Sequence, residues 1–219
     1  MVRDGKKHKP NIELIMYALV VNGNIVKHFS YPKGFEHNGN QYPAQLFTNW
    51  SQSDKEAIGI YEVINDSTNY KDPNYYNNTN EQYSFANNQV TKSWGTATAK
   101  RLEDENAVDE DGNNVLDEDG NQVINYGLKT EKKRIVKQQA SQLLAPTDWY
   151  VVKAQEVADY SVPANITTFR ADVRTKSNEM ETAIDNCTTV DELKALYEYT
   201  EQPDGTITRP LPEFPKEVI

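Results

Sequence analysis

Leu, Ile, Val and Phe, the residues that fill most hydrophobic cores, supply only 46 of the 219 positions. That is about 21%, just above the level at which a chain stays disordered. The chain can fold, but its core must be small or divided between small lobes. The 22 asparagines and 13 tyrosines are the other compositional anomaly. No stretch approaches the ~18 consecutive apolar residues of a membrane span, and the opening residues MVRDG do not read as a signal peptide. One cysteine, Cys187, rules out an intrachain disulfide. Five Asn-x-Ser/Thr triplets, at Asn49, Asn65, Asn77, Asn165 and Asn186, read as chance matches in so asparagine-rich a sequence.

The net charge of −10 is distributed in blocks. Residues 1–10 form a basic N-terminal arm of net +3, residues 101–119 carry net −8, and residues 129–137 carry net +4. Short basic termini are usually solvated, and no other basic surface element stands out, so nucleic-acid binding is not expected. The acidic block reads as a solvated double turn facing the basic helix that follows it, with pairing between the two open either within one chain or between copies.

Residues 11–100 read as a loop-rich antiparallel β module. The apolar run 14–21 and the segment Ile25–Phe29 flank Asn22-Gly23, which tolerates the positive φ of a tight hairpin turn. His28 falls in the second strand, and His37 in a polar loop spanning 35–40. Ser53 with Glu56 fits a capping box for a short helix, which leads into a strand from Gly59 to Ile64. Residues 65–80 read as loop, and 83–85 with 90–94 as a further strand pair.

Residues 101–127 form an acidic connector with an internal repeat, VDEDGNNV at 108–115 and LDEDGNQV at 116–123. Asp-Gly-Asn between apolar flanks is turn chemistry, with glycine in the left-handed position. A meander of very short strands is expected. Clustered carboxylates beside glycine also suggest calcium, but the spacing is one residue short of a calcium loop and lacks its closing glutamate.

Residues 128–202 read as a helical hairpin region, so the fold class is α+β. Ile135, Val136, Ala140, Leu143 and Leu144 recur at helical spacing from Thr130 onward, and Pro146 is expected to stop that helix. A linker then leads to Pro163 and a second helix over Asn165–Asn186. Its stripe is Ile166, Phe169, Val173, Met180, Ile184 and Cys187, interrupted by Lys176 and Ser177. Arg170 and Arg174 flank the stripe and read first as a solvated face; the alternative is that their guanidinium forks hold a carboxylate such as Asp148, or an acidic partner surface. Trp149 beside it is expected to be a packing anchor. A last helix starts at Thr189, with Glu192 three residues on. Residues 203–219, with Pro203, Pro210, Pro212 and Pro215, read as an extended proline-rich tail.

Catalytic signatures are lacking. His8, His28 and His37 have no metal-ligand spacing, and no phosphate loop, nucleophile elbow or paired-cysteine motif occurs. With 33 acids, carboxylate pairs single out nothing. No enzyme activity and no cofactor or metal is expected.

Three segments resemble a known family. LLAPTDW at 143–149, FRADVR at 169–174 and PEFP at 212–215 together resemble the C-terminal helical hairpins of tailed-bacteriophage tail assembly chaperones and tail-fibre-associated proteins. The stretch from Trp50 to Tyr61 is similar to the module often joined to that hairpin. The second helix is longer than is usual there, and the acidic double turn is an elaboration. The resemblance implies a non-enzymatic virion fibre or baseplate component or adaptor, or a transient assembly chaperone. It further implies other phage tail or fibre proteins as partners, a homo- or hetero-oligomer, and residence in the virion or in the host cytoplasm during assembly. In that reading Trp149, Arg170 and Arg174 are architectural. A host-surface glycan-binding module is the alternative, resting on the Tyr and Asn cluster at 69–88.

Overall fold

The computed structural model describes residues 16–216. The basic arm, His8 and the first two residues of the apolar run at 14–21 lie outside them. The chain divides into two compact units, up to Thr98 and from Ala99 onward. It contains both sheet and helix and is an α+β fold.

The first unit is built on strands β1 (Tyr17–Val21), β2 (Asn24–Phe29), β5 (Ile60–Asn65), β7 (Gln82–Ala86) and β8 (Gln89–Ser93), in the order β2-β1-β5-β8-β7. Side chains alternate across a strand, and β1 is buried on both faces. Tyr17 and Leu19 join Phe29, Phe35, Leu46, Phe47 and Ile60 on one side, while Ala18 and Val20 meet Val90 on the other. This double burial explains why β1 reads as a continuous apolar run. The sheet curls, so that His28 on one edge strand packs 4.2 Å from Tyr83 on the other, ring to ring.

Its turns follow local chemistry. Asn22 and Gly23 have φ of 50° and 78°, as the sequence predicts. Asn87 and Asn88 turn β7 into β8 with φ of 51° and 57°. Residues 35–40 are not a loop: β3 (Phe35–His37) and β4 (Asn40–Tyr42) form a second hairpin around Asn38-Gly39, placing His37 at a strand end. Helix α1 (Leu46–Asn49) precedes α2 (Gln52–Ala57). The cap of α2 is Ser51, whose Oγ accepts from the Asp54 amide at 3.2 Å, and not Ser53. A further departure is the β5–β8 pair, which is parallel, so the sheet is mixed and not purely antiparallel. The loop after β5 reaches β6 (Tyr76–Asn77), and β9 (Thr98–Ala99) falls at the junction of the units.

The second unit opens on β10 (Glu105–Asn106), which pairs with β11 (Ile124–Asn125) across the double turn. The turns close by single bridges, Val108 to Asn114 and Leu116 to Gln122, instead of a meander of strands. The eight-residue repeat becomes a ring of backbone hydrogen bonds. Val115 donates to Ala107, Val123 to Val115 and Ala107 to Val123, at 2.9, 2.9 and 2.8 Å. Helix α3 (Leu128–Leu144) follows, then a 3-10 turn (Ala145–Thr147), α4 (Asp148–Glu156), α5 (Ala164–Asp185) and α6 (Val190–Ala195). Pro146 ends α3 but sits in the first positions of the 3-10 turn, where its missing N–H costs nothing. The segment read as a linker is therefore largely the helix α4. Thr189 and Glu192 form the expected capping box of α6.

Helices α3 and α5 run antiparallel, since Lys133 pairs with Asp185 at 2.7 Å and Lys137 with Glu181 at 3.3 Å. Ile166, Phe169, Val173, Met180 and Ile184 are buried along α5. Ser177 is buried in the same row, so the stripe continues through a hydroxyl that donates to Glu181 at 3.3 Å. Ile135 stays exposed on α3. Cys187 extends the stripe past the helix end, and burial pushes its thiol up from its ordinary titration range. After α6, strands β12 (Thr200–Glu201) and β13 (Ile207–Thr208) form a small hairpin. The segment beyond returns to the helices and buries Leu211.

Candidate functional site: the Arg170 node and helix α4

Arg170 lies on the buried row of α5, next to Phe169. Its Nη1 donates to the Leu144 carbonyl at 3.1 Å and to Thr147 Oγ1 at 2.5 Å, and pairs with Asp148 Oδ1 at 2.8 Å. These acceptors sit at the end of α3, in the 3-10 turn and at the start of α4. One guanidinium thus fixes the angle at which the chain leaves α3. Charged donors make the stronger hydrogen bonds, and the Leu144 carbonyl belongs to the last turn of α3, where cations are favoured. Thr147 Oγ1 also donates to that carbonyl at 2.7 Å, and Thr147 is fully buried.

Arg170 is therefore not on a solvated face, and the alternative, its pairing with Asp148, is what the structure has. Arg174 does not join it: its side chain is exposed and, among the described residues, donates to the Arg170 carbonyl alone, at 3.2 Å. Trp149 is not a packing anchor. It is 52% exposed and lies against Tyr150 with ring centroids 3.9 Å apart. The buried residue at this junction is Thr147, although a threonine after proline has the sequence signature of ordinary turn material. Phe169 and Val173 form a cluster with Ala140, against which Leu143, Leu144 and Phe214 pack. Met180 and Ile184 are core residues of the same helix, farther along.

Helix α4 is unusual in burying no residue at all. Trp149, Val151 and Val152 on it, and Val157 just beyond, are exposed. Lys153 stands over both the Trp149 and Tyr160 rings, at 5.6 and 4.3 Å from their centroids. Isolated helices of this length are unstable in water, so α4 depends on its attachment through Thr147 and Asp148.

The double turn is solvated, as the sequence suggests. The acids at 109–111 and 117–119 are exposed, and none pairs with a base among the described residues. Of the acids at 101–119, Glu103 and Asp104 reach α3 by their side chains, through Lys129 and Thr130. The bases of α3 are met mainly by α5. A groove of about 520 Å³ beside α3 is lined by Tyr126, Thr130, Glu131, Lys133, Arg134 and Lys137, and two of its lysines are the ones neutralised by α5.

In each acidic turn the first aspartate is used internally. Asp109 Oδ1 accepts from the amides of Asp111 and Asn113 at 3.0 and 2.8 Å, and Asp117 does the same with Asp119 and Asn121. Those hydrogen bonds hold both carboxyls below the usual aspartate range. Among the described residues, no group of three or more His, Cys, Asp or Glu is placed to hold a metal ion.

In the first unit, the Tyr and Asn cluster is partly consumed by packing. Tyr75 and Tyr76 are buried, and Asn69 and Asn78 donate to the Trp94 and Lys71 carbonyls at 3.1 and 2.7 Å. Lys55 is also buried, its Nζ 3.3 Å from the Tyr17 hydroxyl.

Fold and node together define an α+β protein in which a buried arginine organises a helix junction, next to a short helix that exposes Trp149, Val151 and Val152. Comparison with family models, curated proteins and solved structures gives no match. Among the described residues no helix is long and apolar enough to cross a membrane.

Proposed function

We propose that this chain is a non-enzymatic tail protein of a tailed bacteriophage, a fibre- or baseplate-associated component or adaptor that works by protein–protein docking. The observation that carries the docking role is α4, a helix with no buried residue that presents Trp149, Val151 and Val152 to solvent. Large aromatic and apolar groups held on a fixed element are what interface anchors require. The phage assignment rests on the sequence resemblance, and it is supported by where the three matching segments sit. Residues 143–149, 169–174 and 214 are far apart in sequence, yet they meet around Arg170 and the Phe169 cluster.

Mass spectrometry of purified particles and of tail intermediates from the producing virus tests this assignment. A virion component is found in mature particles at a fixed copy number. Presence in intermediates alone would make it a transient assembly chaperone. Absence from both would contradict the tail assignment.

A further inference from the structure

The segment from Arg209 to Lys216 is more than a trailing end. Leu211 is buried and its amide donates to the Leu196 carbonyl at 3.0 Å, just past α6. Three residues later, Phe214 packs on the cluster of Ala140, Phe169 and Val173 between α3 and α5. Pro210, Pro212 and Pro215 punctuate the segment. Leu211 and Phe214 are its two apolar anchors, three residues apart. The segment has the form of a two-anchor peptide ligand seated in a groove of its own unit.

Its tether is weak. Strands β12 and β13 have two residues each, all exposed, joined through a turn with Gly205 at φ 80°. A hairpin this short has marginal stability of its own, so it can open without disturbing the helices. We propose that this segment is an exchangeable strap, and that the groove it fills in its own chain accepts the same segment from a second copy. Each copy then carries one strap and one groove of matching chemistry, which supports pairwise exchange or head-to-tail chains. The inference does not depend on the tail-protein reading.

The test uses the full chain and a fluorescent peptide spanning residues 209–216. In the variant Leu211→Ala/Phe214→Ala the groove is vacated, and the peptide is expected to bind saturably by anisotropy. Binding to the wild-type chain should be at least tenfold weaker, because the tethered strap competes at high effective concentration. A peptide lacking both anchors should not bind. Equal binding to wild type and variant, or none to a variant that keeps its helical circular dichroism, would overturn the proposal.

A second measurement needs no variant. Excess peptide should speed hydrogen exchange at the wild-type Leu211 amide at least tenfold, and an unchanged rate at saturating peptide would overturn exchange. For the second copy, light scattering should show a dimer fraction that rises with wild-type concentration and is lost in the double variant. A wild-type monomer throughout, or equal association of the variant, would refute that occupant.

Discussion

Arg170 and Trp149 exchange the importance that their residue types suggest. Tryptophan next to a helix end is a natural packing anchor, yet Trp149 is half exposed, whereas the Arg170 side chain is close to nine-tenths buried. Replacing Arg170 with Met leaves polar groups at the α3 end without their charged donor, and a loss of about 2 kcal/mol is expected. Arg174→Met, on the exposed side of the same helix, should stay within about 0.5 kcal/mol of wild type. Asp148 is largely exposed, so Asp148→Asn should cost less than about 1 kcal/mol. Urea denaturation of the three variants checks this order. Trp149→Ala is expected to change stability by no more than about 0.5 kcal/mol, whereas a buried anchor would cost about 3–5 kcal/mol. The same denaturation experiment separates the two outcomes.

At the scale of elements, what the sequence reveals depends on whether a feature is local. The turns at Asn22-Gly23 and the capping box at Thr189 and Glu192 are legible, because a few adjacent residues determine them. Asn38-Gly39 offers the same signal, but its strands are three residues long and were too short to register as a periodic pattern. The parallel β5–β8 pair was invisible, because nothing in either strand encodes the direction of its neighbour. Helix α4 was hidden by Pro146, which stops α3 yet is tolerated at the start of the next turn. Of the candidate site, the Arg170–Asp148 pair was legible from charge and spacing as the alternative to a solvated face; the exposure of Trp149 was not, since burial depends on what else packs nearby.

The acidic turns give a prediction at this scale. Asp109 and Asp117 titrate below the ordinary aspartate range because their charged forms accept backbone amides. A depressed carboxyl contributes its stabilisation above the ordinary value and loses it as pH falls through the lowered value. The two turns should therefore persist through mild acid and loosen only below the ordinary aspartate range. Carboxyl carbon NMR titration checks this, with both residues expected to titrate below a model aspartate. Helix α4 should behave oppositely to α5: with no buried residue, its amides should exchange at least tenfold faster than those around Val173 in native-state hydrogen exchange.

For the molecule as a whole, the modest supply of core-forming residues is divided between two units, one of the two arrangements the composition allows. In the second unit the bases of α3 are largely occupied by α5, while the six acids of the double turn remain in water. Within the chain, the acidic block is tied to the basic helix through Glu103 and Asp104, which meet Lys129 and Thr130. The proposed docking role rests on the exposed apolar residues of α4. Site-specific photo-crosslinking during virus production tests it most directly, with a photoreactive phenylalanine at Val152 and a control at the exposed Thr175. The predicted result is a crosslink from position 152 to a tail or fibre protein, identified by mass spectrometry, and none from position 175. No crosslink from 152, or the same products from both positions, would contradict docking through α4.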